Sequence, residues 1–157
     1  MREKVYLAGP LGFSEAGQLF HQRVLSDLSR LGFELLDPWA LNESDELAAA
    51  LAEPDLNRQR QRLAALNVQI GAVNVEAIDR CDWVLANLDG VDVDSGTAAE
   101  IGYAFARNKR VIGYRGDFRF SCDNLGSVVN LQVEYFIRSS GGTIYRRWSD
   151  LMHVLSE

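Results

Sequence analysis

The sequence predicts an α/β fold: one domain over residues 1–157, built on a doubly wound five-stranded parallel sheet flanked by helices. Its 157 residues match the size of a single domain. Short apolar runs alternate with segments of helical periodicity, and glycine or proline separates many of them. Strands separated by helices imply right-handed crossovers, which make the sheet parallel and place helices on both of its faces.

The first part of the chain predicts a strand, a helix and a second strand. Residues 4–8 form an apolar run typical of a buried strand, and residues 33–36 form a shorter one. Between them, the apolar positions of 15–31 recur at helical spacing, with Ser14 as the N-cap and Gly32 as the stop.

The middle of the chain is predicted to be helical after a turn. Asp37-Pro38-Trp39 is interpreted as the end of the second strand, residues 42–54 as an alanine-rich helix plus turn, and residues 56–80 as a long helix that packs on the sheet.

The remaining elements continue the alternation. The predicted strands are 82–88, 110–114 and 143–145, and the predicted helices are 97–107, 125–139 and 148–155. Residues 115–124 form a polar loop whose length suggests a function.

The charge balance argues against a nucleic-acid partner. The net charge is −6 and the isoelectric point is near 4.9, whereas nucleic-acid binders present a basic face. Arg58, Arg60 and Arg62 alternate with glutamines on a helix without interleaved aromatics, which indicates a solvated face. We expect neither a nucleic-acid nor a membrane partner.

Cysteine and histidine usage predicts a reduced, cytoplasmic protein without a metal. Cys81 and Cys122 form no CxxC pair, and the chain begins with a strand rather than a signal peptide. His21 and His153 have no partners at metal-ligand spacing, and His21 lies among residues interpreted as helix surface. No cofactor is expected.

The most informative motif is the run 92–102, Asp-Val-Asp-Ser-Gly-Thr-Ala-Ala-Glu-Ile-Gly. It follows a predicted strand and enters a predicted helix, the position at which open α/β sheets bind ligands. Glu100 is predicted to lie in the first helical turn, where the helix dipole favours its ionised form. An ionised carboxylate can act as a nucleophile at carbon. Asp94, still in the loop, suits hydroxyl binding or proton handling.

The same residues allow a purely structural interpretation. Thr97 to Glu100 also fits a capping box, with Thr97 as the N-cap and Glu100 bonding back to its main-chain N–H. The motif alone does not choose between the two.

Three runs, residues 5–10, 92–102 and 129–131, make the chain resemble the nucleoside 2-deoxyribosyltransferases. The resemblance covers nearly the whole chain and agrees with a sheet of the flavodoxin or Rossmann type. It implies that Glu100 attacks C1′ of a 2′-deoxynucleoside, giving a covalent deoxyribosyl ester that a second nucleobase opens. Such a reaction proceeds with overall retention.

The resemblance also assigns supporting roles. Asp94 would bind the sugar 5′-hydroxyl, Tyr6 would orient the nucleophile, and Asn130 would reach the deoxyribose of a neighbouring subunit, which implies a homo-oligomer with shared active sites. Asn74 stands where an aspartate often protonates the leaving base, and Gln132 stands where a methionine is sometimes found.

Other residues complete the predicted substrate site. Phe13 and Trp39 could stack the base, although ordinary packing would also explain them. Gly9 and Pro10 form a turn that lets the backbone approach the base. Gly96 belongs to the motif turn, and Asp92, or Asn74 together with water, could assist protonation of the base.

The expected function is therefore exchange of 2-deoxyribose between nucleobases in nucleotide salvage, with a preference for purines. A purine offers N7 and N3 as additional protonation sites, so its departure depends less on the acid that Asn74 replaces. One alternative is a deoxynucleoside 5′-monophosphate N-glycosidase, and a less favoured one is a non-catalytic nucleotide-sensing module, since a fold does not dictate activity.

Overall fold

The computed structural model describes residues 2–157 and contains one parallel sheet of five strands in the order β2-β1-β3-β4-β5. The strands are β1 (Lys4–Ala8), β2 (Glu34–Leu36), β3 (Trp83–Asn87), β4 (Arg110–Tyr114) and β5 (Ile144–Tyr145). The helices are α1 (Glu15–Arg30), α2 (Pro38–Leu41), α3 (Asp45–Leu51), α4 (Leu56–Arg80), α5 (Ser95–Ala106), α6 (Leu131–Ser139) and α7 (Trp148–Leu155). The predicted fold class is confirmed.

Alternating side chains of the strands supply two cores. Val5 and Leu7 of β1 face α1 and α7, whereas Tyr6 and Ala8 face α4, α5 and α6. This period of two on a sheet covered on both sides makes the sheet doubly wound.

The strand order determines where a ligand site can form. From β1 the chain crosses to β2 at one side and later returns to β3 at the other side. Such a reversal opens a crevice at the carboxyl ends of the neighbouring strands β1 and β3. The turn after β1 and the segment between β3 and α5 both lie at this edge.

The start of α5 differs from the prediction. The helix begins at Ser95 rather than at residue 97, because the side chain of Asp94 accepts a hydrogen bond from the main-chain N–H of Thr97 at 3.0 Å. Asp94 is thus the N-cap, and the capping box with Thr97 as N-cap is wrong. Glu100 consequently lies in the second turn and not in the first.

Two other boundaries also needed correction. Asp37-Pro38-Trp39 does not simply end β2: Asp37 caps the short helix α2, and α3 follows separately, where one helix over 42–54 was predicted. Helix α6 begins at Leu131, not at residue 125, because Asn130 is its N-cap and accepts bonds from the main-chain N–H groups of Gln132 and Val133.

A buried arginine organises the loops beyond β3 and β4. The side chain of Arg115 has no exposed surface, and it donates hydrogen bonds to the carbonyls of Leu88, Gly90 and Arg119. The guanidinium therefore holds together the loop that leads into α5 and the loop that follows β4.

No helix within residues 2–157 combines the length and the apolar character needed to span a membrane.

Candidate active site

A tyrosine and a glutamate form the centre of the site. Tyr6 lies in the middle of β1 on the face covered by α5, and it is completely buried. Its hydroxyl donates a hydrogen bond of 2.7 Å to Oε1 of Glu100. The helical position directs the Glu100 carboxylate both to this bond and to an open cleft. The bond restricts the orientation of the carboxylate.

The surroundings of Glu100 act on its ionisation in opposite directions. Burial raises the pKa of the Glu100 carboxyl above its ordinary value; the Tyr6 hydrogen bond opposes this rise, and the nearby charge of Asp94 adds to it. Burial also raises the pKa of Tyr6, and the negative charge of Glu100 raises it further, so Tyr6 remains a neutral donor. Tyr6, rather than the helix terminus that the sequence suggested, supports the ionised carboxylate.

Asp94 combines a structural role with a position in the cleft. One of its oxygens, Oδ2, accepts bonds from the main-chain N–H of Thr97 at 3.0 Å and from its hydroxyl at 3.2 Å. Asp94, Gly96 and Thr97 line the same cleft as Glu100. The carboxylate of Asp94 is therefore held in place beside the candidate nucleophile.

The cleft has a volume of about 540 Å³, which falls within the range of small-molecule sites. Its lining side chains include three carboxylates and three carboxamides but no arginine, lysine or histidine. The lining residues are Gly9, Phe13, Pro38, Trp39, Asn42, Glu43, Leu47, Asn67, Ile70, Asn74, Asp94, Gly96, Thr97 and Glu100. The cleft is thus acidic.

Two aromatic rings form one wall of the cleft. Phe13, with 79% of its surface exposed, meets Trp39 edge-to-face with ring centroids 4.7 Å apart. Gly12 packs so closely on Trp39 that a Cβ atom there would overlap the indole. At Gly9 a Cβ atom would lie 2.9 Å from that of Asn87. Both glycines are therefore needed for close packing beneath the cleft.

A histidine contacts the aspartate that holds the main chain of Trp39. His21 was interpreted as part of a helix surface, but it is largely buried, and its Nε2 lies 2.9 Å from Oδ2 of Asp37. The other oxygen of Asp37 accepts a bond of 3.1 Å from the main-chain N–H of Trp39. The correction arises because α1 packs beside the start of α2, a contact that helical periodicity does not reveal.

A pair of amides forms the opposite part of the lining. Nδ2 of Asn42 donates to Oδ1 of Asn74 at 2.9 Å and to the carbonyl oxygen of Pro38 at 2.8 Å. Asn74 was predicted to belong to the site, whereas Asn42, Glu43 and Asn67 were not. The only signal for these was their position in polar segments near Asn74, which is too general to select them.

Four predicted substrate-binding residues do not line the cleft. Asp92 is exposed and bonds the main-chain N–H of Val93, so it is not placed to protonate a base in this cleft. Pro10 accepts a main-chain bond from Phe13 in the turn below the cleft. Asn130 and Gln132 lie at the start of α6, Asn130 as the N-cap rather than within the helix. The structure brings together Tyr6, Asp94 and Glu100 with Gly9, Phe13, Trp39, Asn74 and Gly96.

No three histidine, cysteine or carboxylate side chains in the described part of the chain are grouped as metal ligands would be.

Comparison with known proteins identifies the family. The model of the family described as nucleoside 2-deoxyribosyltransferase matches residues 5–132. The chain belongs to the nucleoside 2-deoxyribosyltransferase family. It is thus related to enzymes of this type, and the matched range includes Tyr6, Asp94 and Glu100. No curated protein is recognisably similar to it in sequence.

Solved structures share the fold over almost their full length. A conserved protein from Enterococcus faecalis V583 has a TM-score of 0.74 at 23% identity, covering 99% of this chain and 98% of the other. A 2-desoxiribosyltransferase from Leishmania mexicana has 0.62 at 20%, covering 98% and 97%. A CMP N-glycosidase from Clostridium botulinum has 0.59 at 22%, covering 98% and 97%. At these identities the likeness shows a common fold.

Proposed function

We propose that this nucleoside 2-deoxyribosyltransferase family member transfers 2-deoxyribose between nucleobases through a covalent deoxyribosyl ester on Glu100. The observation that carries the proposal is the 2.7 Å bond from Tyr6 to a Glu100 carboxylate that opens into the cleft beside Asp94. A carboxylate held in one orientation suits attack at a sugar carbon.

The proposed reaction has two steps. As the C1′–N bond breaks, the carboxylate of Glu100 stabilises the oxocarbenium-like state and then captures C1′. A second base attacks C1′ of the ester and releases Glu100. Two inversions give overall retention.

The charge of the cleft favours nucleosides over nucleotides. Glu43, Asp94 and Glu100 line it without a basic side chain, and a 5′-phosphate would be repelled by these carboxylates. The second candidate, hydrolysis of a nucleoside 5′-monophosphate, is favoured only by the fold shared with the Clostridium botulinum CMP N-glycosidase.

A base-exchange assay tests the proposal. Each 2′-deoxynucleoside donor is incubated with each free base and the products are separated by chromatography. We expect exchange products, faster with purines than with pyrimidines because Asn74 offers no carboxyl proton to the base; this would suit a role in salvage. Release of free base and 2-deoxyribose 5-phosphate from 5′-monophosphates, without exchange from nucleosides, would instead favour the glycosidase.

Asp94→Asn is expected to weaken the use of ordinary 2′-deoxynucleosides and to relax the rejection of 5′-phosphorylated ones. Asparagine retains the N-cap of α5, so the fold should be little affected. The measurement is the ratio of kcat/KM for a nucleoside and its 5′-monophosphate, which should fall about tenfold or more as one charge repulsion is removed. Asp55→Asn, at the N-cap of α4, is the matched control. An unchanged ratio would remove Asp94 from the 5′ subsite.

Tyr6→Phe is expected to shift the pH dependence of transfer. The Tyr6 bond lowers the pKa of Glu100 against the effect of burial, so its loss raises that pKa. Because the ionised form is the nucleophile, the rising limb of kcat/KM against pH should move to higher pH. Tyr103→Phe, which removes a hydroxyl bonded to Asp79, is the control and should leave the limb in place. A limb unmoved by Tyr6→Phe would contradict the role of Tyr6.

We further propose a homo-oligomer in which Asn130 completes the sugar site of a neighbouring subunit. Asn130 does not line its own cleft, and Leu131 and Tyr135 of α6 expose 50% and 56% of their surface. Apolar surface of this kind suits a contact between subunits.

Mixing two inactive variants tests shared sites. Glu100→Ala chains combined with Asn130→Ser chains should regain activity, because some interfaces then carry both intact residues. Serine retains an N-cap for α6 while removing the amide. No recovery despite demonstrated subunit exchange, or a fully active monomer by light scattering, would contradict the shared site.

A further inference from the structure

The two amides in the cleft have a defined polarity. The carbonyl oxygen of Pro38 can only accept a hydrogen bond, and it lies 2.8 Å from the Asn42 amide. The nitrogen of Asn42 must therefore face Pro38. The second hydrogen of this nitrogen is donated to Oδ1 of Asn74 at 2.9 Å.

This chain of bonds decides which atom Asn74 offers to a ligand. Since Oδ1 of Asn74 accepts from Asn42, Nδ2 is the atom left for other partners. Within residues 2–157 no acceptor takes a hydrogen bond from it, although Asn74 is half-buried and lines the cleft. The Pro38 carbonyl thus makes Asn74 a donor, through Asn42.

Neither amide ionises, so this part of the cleft offers a neutral N–H group. The titratable side chains that share the lining are Glu43, which follows α2, and Asp94 and Glu100 at α5. The Glu100 carboxylate is engaged by Tyr6, and Asp94 by Thr97. Glu43 is exposed and is the rival proton source.

We propose that Asn42 is a positioning residue that aims Nδ2 of Asn74 at an acceptor atom of the nucleobase, so that the base departs with an amide hydrogen bond in place of a carboxyl proton. The inference rests on the proposed function. Nucleosides whose base carries an acceptor at this point, such as a purine nitrogen or a pyrimidine carbonyl, form the matching substrate class.

The proposed step balances without a protein acid. The C1′–N bond breaks and its electron pair moves to the base, while an oxygen of Glu100 forms the new bond to C1′. The N–H of Asn74 stabilises the negative charge that develops on the base. Water supplies the proton that neutralises the base after it leaves. The hydroxide so formed takes up the proton that the second base loses when it attacks C1′.

A double-mutant cycle tests whether Asn42 acts through Asn74. With 2′-deoxyadenosine as donor, Asn42→Ala and Asn74→Ala should each lower kcat by up to about tenfold, the range for one neutral hydrogen bond. The double variant should lose no more than Asn74→Ala alone. Losses that multiply would overturn the proposal, because Asn42 would then act independently. Asn57→Ala is the matched control, because Asn57 is an exposed asparagine of α4, the helix that contains Asn74.

A donor whose base leaves without stabilisation distinguishes the proposed role of Asn42 and Asn74 from a purely structural one. A structural role would lower kcat equally for both donors. A 7-methylpurine 2′-deoxynucleoside carries a permanent positive charge on its base, so the base departs as a neutral molecule. The losses caused by Asn42→Ala and Asn74→Ala should largely disappear with this donor. Equal losses with both donors would overturn the proposal.

Two further measurements separate this inference from the rival and from the proposed function. If Glu43→Gln lowered kcat for 2′-deoxyadenosine more than Asn74→Ala and spared the 7-methylpurine donor, Glu43 would be the acid and the inference would be wrong. Detection of the deoxyribosyl ester by mass spectrometry tests the proposed function separately. If the ester forms but the kcat losses of the Asn42 and Asn74 variants multiply, only the role of Asn42 is rejected. If neither the ester nor base exchange is found, the transfer reaction itself is rejected.

Discussion

Glu100→Gln is expected to lower base exchange by about 10³-fold or more, the scale seen when a catalytic nucleophile is removed. A carboxamide cannot form the deoxyribosyl ester, yet it retains the shape of the side chain and can accept the Tyr6 hydrogen bond. Exchange rates by chromatography, with Glu76→Gln on the exposed side of α4 as control, provide the measurement. Near-normal turnover would show that Glu100 is not the nucleophile.

The same substitution is expected to stabilise the fold at neutral pH. Burial raises the pKa of Glu100 in the folded state above its unfolded value, so the folded state favours the protonated form. That contribution is complete below the unfolded pKa and is lost as pH rises through the folded pKa. Glu100→Gln should therefore raise Tm at pH 8 relative to the parent and have a smaller effect at pH 4. A lower Tm at pH 8 would contradict this explanation.

Arg115→Met is expected to lower the free energy of unfolding by about 3–5 kcal/mol. The methionine leaves the buried carbonyl of Leu88 and the partly buried carbonyls of Gly90 and Arg119 without their donor. A buried group left unpaired costs about 1–3 kcal/mol. Denaturant unfolding measures the change. Arg58→Met, on the exposed part of α4, should change stability by no more than about 0.5 kcal/mol.

Activity should fall with stability in this variant. Arg115 ties the segment after β3, which leads to Asp94, to the loop after β4. A stability loss below about 1 kcal/mol would mean that water replaces the guanidinium and that the loops are held by other contacts.

Local patterns predicted most of the fold. The residues of β1, β4, α4 and α7 were assigned with their observed bounds. Each of these elements is an apolar run or a helical repeat bounded by turn-forming or polar residues. The first residue of α5 was missed because Asp94 and Thr97 are both good N-caps, and the Ser95-Gly96 pair between them has weak helix propensity. At α6 the largely apolar run 128–133 extended the helical pattern upstream of the observed start at Leu131.

In the candidate site, too, the sequence revealed the residues of a local motif and missed those that depend on contacts between distant elements. Glu100 and Asp94 lie in one local motif, so the sequence revealed both, and the family resemblance added Tyr6 across 94 residues. The roles of Asn42, His21 and Arg115 depend on contacts between distant elements, such as α2 with α4. A polar residue buried by such a contact has the same local pattern as an exposed one, so the sequence alone did not distinguish them.

In the proposed reaction, Glu100 carries the sugar between the two bases. Intact mass spectrometry after brief incubation with 2′-deoxyadenosine, without an added acceptor base, tests it most directly. We expect a gain of one deoxyribosyl unit, located on Glu100 by peptide mapping. The added mass should be removed by an acceptor base and should be absent from Glu100→Gln. Rapid exchange by a protein that never gains this mass, or a deoxyribosyl unit located on another residue, would show that Glu100 is not the residue that carries the sugar.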